Sequence, residues 1–109
     1  MPRDTGLPPG TLVMLILRVL APEPLHGYGI AQRIRQLSAD QLSVEEGSLY
    51  PALQKVLLKG WAKASWTTSR TGREVREYRL TPSGRKQLAE ELADYQRVTS
   101  AIGLVLDNA

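Results

Sequence analysis

The chain has 109 residues, of which 42% are hydrophobic and 23% are charged, and its formal net charge is +3. This length and composition predict one globular domain and argue against a disordered or fibrous protein. The absence of cysteine excludes a disulfide scaffold, a thiolate zinc site and a cysteine nucleophile. The longest apolar run, Leu12 to Leu17, is too short to span a membrane, and no signal-peptide pattern precedes it. We therefore expect a cytoplasmic protein without a membrane partner.

The basic residues are concentrated in the middle of the chain. Between Ser48 and Lys86, nine lysines and arginines are opposed by two glutamates, a net charge of +7, whereas the remaining residues carry a net charge of −4. Such a basic segment is typical of proteins that bind the phosphate backbone of nucleic acids. A solvated cationic surface without a partner would show the same pattern.

The first part of the chain predicts two helices after a flexible N-terminal lead at residues 1–8. Thr11 to Leu20 is apolar on nearly every face, which predicts a buried helix. Pro22 and Pro24 cannot continue that helix. A second, amphipathic helix of about ten residues is predicted by apolar residues at helical spacing, namely Ile30, Ile34 and Leu37.

A third helix is predicted to begin near Gly47 or Ser48, because Pro51 lacks an N–H and is best tolerated in a first turn. Ser43 and Glu46 also match a capping box, which leaves open a short turn before this helix. Gly60 predicts its end. Its apolar side holds Leu49, Leu53, Val56 and Leu57. Its opposite side holds Ser48, Pro51, Gln54, Lys55 and Leu58, with Lys59 at the margin and Tyr50 at the boundary.

Two strands and a long helix complete the predicted elements. Trp61 to Thr68 and Val75 to Leu80 predict a hairpin, and its turn carries Arg70 and Arg73. Thr81 followed by proline predicts the start of a helix of roughly 24 residues. Its heptad-like apolar seam would be covered by a second copy of the chain. The seam consists of Leu88, Leu92, Tyr95, Thr99, Ile102 and Leu106.

This order of elements predicts a mainly α (α+β) winged helix-turn-helix, in which three helices and a two-stranded wing are followed by a long C-terminal dimerisation helix. We assign residues 9–81 to the winged-helix domain and residues 82–109 to the dimerisation helix. The N-terminal part of the third helix would enter the major groove of double-stranded DNA. There, Gln54 can pair with adenine and Lys55 with guanine.

Three motifs of the chain resemble the PadR family of bacterial transcriptional regulators. They are LHGYGI at residues 25–30, GSLYPAL at residues 47–53 and EYRLTPSG at residues 77–84. The resemblance implies a winged-helix homodimer that represses genes and releases DNA when it binds a small-molecule effector. The single C-terminal helix is similar to that of the family's short subgroup.

The resemblance also implies roles for single residues. Tyr50 matches an aromatic residue that can hydrogen-bond a phosphate, and Tyr95 matches an aromatic ligand contact across the dimer interface. This chain has tyrosine where the drug-binding members have tryptophan, and its terminal helix has no other aromatic residue. The predicted DNA-binding set combines Tyr50 with the groove-facing residues of the third helix and with residues of the wing. It consists of Ser48, Tyr50, Pro51, Gln54, Lys55, Lys59, Arg70, Arg73 and Arg76.

Other side chains are assigned structural roles. His26 is the single histidine and has no neighbouring cluster of ligands in the sequence, so we expect no metal and no cofactor. Tyr28 is expected to lie in the core or to support it, and Trp61 and Trp66 are expected to pack on the hairpin and the core. Ser83 to Lys86 matches an S-x-x-K pattern, but the companion motifs of that enzyme class are absent, and we expect no enzymatic activity.

The expected function is that of a nucleoid-associated, homodimeric repressor that recognises an inverted repeat. Two alternatives remain open at this point. One is a winged-helix protein-interaction module that does not bind DNA. The other is a non-specific nucleic-acid binder, which would bind all sequences with equal affinity.

Overall fold

The computed structural model describes Leu7 and residues 10–109. Within them the elements are α1 (Thr11–Leu20), β1 (Leu25–His26), α2 (Gly27–Leu37), α3 (Glu46–Leu58), β2 (Ala62–Thr68), β3 (Glu74–Leu80) and α4 (Pro82–Asn108). The predicted N-terminal lead, apart from Leu7, and the first residue of the predicted winged-helix domain lie outside the described residues. No helix in the described part of the chain is long and apolar enough to cross a membrane.

The core is built around α1. Six of its ten residues are buried, and Ile16 and Leu17 are fully excluded from solvent. This helix contacts α2, α3, α4 and β3, which confirms that the segment without a polar face is the central one. Full burial of each such side chain contributes about 1.5–3 kcal/mol to folding.

The sheet has three strands, one more than the predicted two-stranded wing. β2 and β3 form the expected antiparallel hairpin, and β1 pairs with the other edge of β3, in the order β1-β3-β2. Leu25 lies opposite Tyr78 and His26 opposite Glu77. A strand of two residues has no alternation pattern, so the sequence could not predict it. This pairing attaches the wing to the N-terminus of α2.

The N-terminus of α2 is capped by His26, and its C-terminal residue extends beyond the core. The Nδ1 atom of His26 accepts a hydrogen bond from the Gly29 N–H at 3.1 Å, which confirms a structural role for His26. Ile30 and Ile34 are buried as predicted, but Leu37 is exposed. The expectation that Leu37 belongs to the buried face is wrong, because α2 ends at Leu37, one turn beyond the buried Ile34, and the chain turns at Ala39.

α3 begins earlier than the sequence predicted. Its N-cap is Glu45, so the expected N-cap near Gly47 or Ser48 and the Ser43 capping box are wrong. The Ser48 N–H bonds to the Glu45 carbonyl at 3.1 Å and closes the first turn. The local sequence offered two other starts, and the loop before α3 packs against the core through Leu42 and Val44.

Pro51 consequently lies inside α3, five residues after the first helical residue, Glu46. A proline in the first turn removes no helical hydrogen bond, but at this position the missing N–H leaves one internal carbonyl without its helical donor. That carbonyl belongs to Gly47, four residues earlier.

The end of α3 is the one predicted. Gly60 has a φ of +75°, a left-handed conformation that glycine adopts without steric cost. The Gly60 N–H bonds to the Leu57 carbonyl and the Trp61 N–H to the Val56 carbonyl, both at 3.0 Å. This is the Schellman arrangement, and it directs the chain from α3 into β2.

α4 starts at the predicted cap and is longer than predicted. The Thr81 Oγ1 atom accepts a hydrogen bond from the Gly84 N–H at 3.0 Å and donates one to the Gly60 carbonyl at 2.7 Å. The helix has 27 residues, which corresponds to about 40 Å. Together with the hairpin and the three preceding helices, it confirms the mainly α (α+β) winged helix-turn-helix followed by a long C-terminal helix.

Candidate nucleic-acid interface

α3 presents one face to the core and the opposite face to solvent. Leu49, Leu53 and Val56 are buried, as their spacing predicted. The predicted outer positions Pro51, Gln54, Lys55, Leu58 and Lys59 are exposed, and Ser48 is half-buried. The exposed face therefore combines amide, ammonium and apolar groups, which can contact base edges in a major groove.

Tyr50 lies where α3 meets the N-terminus of α2. Its side chain is 47% exposed. A Cβ atom added at Gly27 would lie 3.2 Å from the Tyr50 hydroxyl oxygen and 3.4 Å from its Cε1 atom. Gly27 thus makes room for the ring, and the phenol stays at the surface beside the exposed face of α3.

The wing tip, defined as residues 69–73, is held by its own hydrogen bonds. The Ser69 N–H bonds to the Arg73 carbonyl at 2.7 Å, and the Gly72 N–H bonds to the Ser69 carbonyl at 3.0 Å. The Ser69 hydroxyl also accepts from the Arg73 N–H at 3.2 Å. Gly72 has a φ of +82°, which closes the turn. Arg70 and Arg73 are therefore exposed on a backbone with a defined shape.

An aromatic cleft of about 200 Å³ lies between the N-terminus of α2, α3 and the wing. Its lining consists of His26, Gly27, Tyr28, Tyr50, Val75, Arg76 and Tyr78. The Arg76 guanidinium carbon lies 5.9 Å from the centre of the Tyr78 ring, a cation–π distance. Both residues belong to β3, so this contact lies within the wing, and both side chains line the cleft beside α2 and α3.

Two aromatic side chains on or beside the wing, those of Trp66 and Tyr28, are exposed. Tyr28 is 70% exposed, and its ring stacks on that of His26 with the centroids 6.4 Å apart. Trp66 is 68% exposed and lies opposite Arg76 on the wing. The core packing expected of Trp66 is therefore wrong, whereas Tyr28 stacks on the N-cap residue of α2 and Trp61 packs against the core as expected. Trp66 shares the face of Ala62 and Ala64, but it lies further along β2 than the core extends.

The predicted seam of α4 divides into two parts. Leu88 is buried in the core of the protomer, and Leu92 packs against that core. Beyond Leu92 the side chains are exposed, namely those of Tyr95, Thr99, Ile102 and Leu106. Val98, Leu104 and Val105 are also exposed. The sequence pattern could not separate the two parts, because both follow the same spacing.

The ion pairs among the described residues lie mostly away from α3 and the wing tip. They join Arg33 to Glu23, Arg35 to Asp40, Arg79 to Glu77 and Arg97 to Asp94, at distances of 3.0 to 3.9 Å. Exposed pairs of this kind contribute little to stability. No group of three or more histidine, aspartate or glutamate side chains in the described part of the chain is placed to hold a metal ion.

Comparisons with known proteins agree with this geometry. The model of the transcriptional regulator PadR-like family matches residues 16–90. An uncharacterised protein of Lysinibacillus sphaericus is 26% identical over 98 residues, which are 90% of each chain. A PadR family transcriptional regulator from Eggerthella lenta is 28% identical with a TM-score of 0.77, and the match covers 92% of this chain and 85% of that one.

A further solved structure contains nucleic acid. It is Bacillus subtilis PadR in complex with operator DNA, which is 29% identical to this chain with a TM-score of 0.67. The match covers 75% of this chain and 47% of that one. Because the family model covers more than half of the chain, from within α1 to the first part of α4, the chain belongs to the PadR-like family and is a DNA-binding transcriptional regulator.

Proposed function

We propose that this chain is a homodimeric repressor that recognises an inverted-repeat operator. The observation that supports this best is the position of the exposed face of α3 beside an exposed basic wing tip. The first suits the major groove, and the second suits the phosphate backbone or the minor groove. The proposed DNA contacts are Ser48, Tyr50, Pro51, Gln54, Lys55, Lys59, Arg70, Arg73 and Arg76.

In this proposal, residues 9–81 bind DNA and residues 82–109 bind a second copy of the chain. The exposed apolar side chains of Tyr95, Ile102 and Leu106 lose their contact with water when two α4 helices pack together. A two-fold axis between the helices places the two copies of α3 one turn of DNA apart, about 34 Å. Such a dimer fits an inverted repeat.

The proposed release mechanism uses the same helix. A small molecule that favours a different angle between the two copies changes the spacing of the α3 helices and weakens operator binding. This requires the molecule to bind the two arrangements with different affinity. Tyr95 is the proposed ligand contact, because it is an exposed aromatic side chain at the proximal end of the exposed seam.

Selection from a randomised duplex library at about 150 mM salt, followed by sequencing, tests the proposal. The expected result is an enriched inverted repeat whose half-sites lie one helical turn apart. The Gln54→Ala variant is the matched control, since it leaves the wing and α4 intact and should change the enriched sequence at one position in each half-site. Retention of DNA without enrichment would instead support a non-specific binder.

If the folded protein retained no DNA at all, this result would support the protein-interaction alternative.

The proposed release by an effector is tested separately with operator-bound protein and a panel of flat aromatic compounds. A compound that releases the operator from the unaltered protein, but less from Tyr95→Ala, supports the proposed contact. Unchanged operator affinity with every compound at saturation would contradict this mechanism of release.

A further inference from the structure

The fold does not require glycine at position 47 of α3. A Cβ atom added at Gly47 would meet no other atom within 4 Å, and Gly47 is not among the positive-φ residues. Neither packing nor backbone geometry therefore demands glycine, which after proline is the residue that least favours a helix. Glycine does allow a close approach between the backbone and a binding partner.

Pro51 is a second residue that weakens α3, and it acts on the same part of the helix. It follows Gly47 by four residues, so its missing N–H is the one that would bond to the Gly47 carbonyl. The proline ring also crowds the carbonyl four residues before it. The Gly47 carbonyl oxygen thus has no i+4 donor within the helix.

The two residues lie on the surface proposed to face DNA. Both are exposed, and at about 100° per residue they fall on the same side of α3 as Gln54 and Leu58. Buried residues occupy the opposite side. Gly47 is the second helical residue, in the part of a recognition helix that contacts bases.

We propose that the Gly47 carbonyl oxygen is a specificity-determining acceptor that binds the exocyclic amino group of an adenine or a cytosine. This inference rests on the proposed function, because it requires α3 to enter the major groove. Adenine N6 and cytosine N4 are the donors of the major groove, whereas guanine O6 and thymine O4 are acceptors. The carbonyl therefore selects A or C over G or T at one position of one strand. Against guanine O6 or thymine O4, the carbonyl oxygen would lose its hydrogen bond to water and receive none from the base.

The test uses operator duplexes in which single amino groups are removed. Each adenine of a half-site is replaced in turn by purine, which lacks N6, and each cytosine by 2-pyrimidinone, which lacks N4. Affinities are measured for the unaltered protein and for Pro51→Ala. Alanine supplies the N–H that closes the helical bond to Gly47, and it favours a helix more than proline does, so the variant should fold.

For the unaltered protein, the removal of the amino group that faces Gly47 should lower the affinity about tenfold. An adenine that pairs with Gln54 would also be sensitive, and Gln54→Ala identifies it because this variant loses that sensitivity. For Pro51→Ala, the same removal should change the affinity less than about twofold, because the carbonyl is already occupied. The matched control is Leu58→Ala, which alters the same exposed face without changing a backbone donor. It should keep the full tenfold sensitivity.

The outcomes separate this inference from the proposed function. The carbonyl contact alone is overturned if the operator preference is independent of every amino group. It is also overturned if Pro51→Ala retains every sensitivity that Gln54→Ala retains. Loss of the sensitivity in Leu58→Ala to the same extent as in Pro51→Ala also overturns it. If the unaltered protein shows no preference for any duplex, the proposed function fails and the carbonyl contact fails with it.

Discussion

Gly84→Ala is expected to destabilise the junction between α4 and the start of the wing. A Cβ atom at Gly84 would overlap the Trp61 carbonyl oxygen and lie 2.7 Å from the Leu80 Cδ1 atom. The Trp61 carbonyl cannot retreat freely, because it accepts a hydrogen bond from the Thr81 N–H at 3.0 Å. The new methyl group must therefore move α4 or break that hydrogen bond.

The size of the effect follows from three contributions. Overpacking at a buried position costs about 1–3 kcal/mol, and a lost backbone hydrogen bond costs about 0.5–1.5 kcal/mol. Replacing glycine by alanine in a helix stabilises the helix by about 1 kcal/mol, which offsets part of this loss. The net loss is about 2 kcal/mol in the free energy of unfolding, which lowers the Tm of a domain of this size by about 8–16 °C.

The assay is urea unfolding followed by far-ultraviolet circular dichroism. All variants are compared at one protein concentration, since the stability of a dimer depends on it. Gly103→Ala is the matched control, because it makes the same substitution in α4 where a Cβ atom would meet nothing within 4 Å. It should gain up to about 1 kcal/mol. The close-packing explanation would be refuted if Gly84→Ala were as stable as the unaltered protein or shifted in the same direction as Gly103→Ala.

Substitutions at four other positions test the proposed interfaces and the cap. Gln54→Ala should relax base preference at one operator position by about 1–3 kcal/mol in competition binding, and an equal loss on all sequences would contradict base contact. Arg73→Ala should weaken binding to all duplexes and reduce the slope of log affinity against log salt by about 0.9, whereas an unchanged slope would exclude a phosphate contact. Thr81→Val should cost about 1–3 kcal/mol in urea unfolding, while Thr81→Ser should retain most of that stability. Ile102→Glu should give a folded monomer in sedimentation equilibrium, and a persisting dimer would place the interface elsewhere.

The sequence alone was sufficient for the elements whose signals are local. The apolar pattern of α1 predicted a buried helix, since a helix that is apolar on nearly every face must be covered on most of its surface. Thr81 predicted the start of α4 and Gly60 predicted the end of α3, and the structure confirms both. These signals are local because capping depends on residues adjacent in the chain. The three family motifs lie in β1 and the start of α2, in α3, and at the junction of β3 with α4.

The tertiary structure decided how far each of these elements is covered. Periodicity gives the side on which a residue lies, but the neighbouring elements determine where along a helix or strand burial stops. Leu88 and Ile102 share one spacing, yet only Leu88 reaches the core. Trp66 and Ala62 share one strand face, yet only Ala62 is buried. Local signals also allowed more than one N-cap for α3, and only the structure shows that the helix starts at Glu46, after a loop packed against the core, with Pro51 inside it.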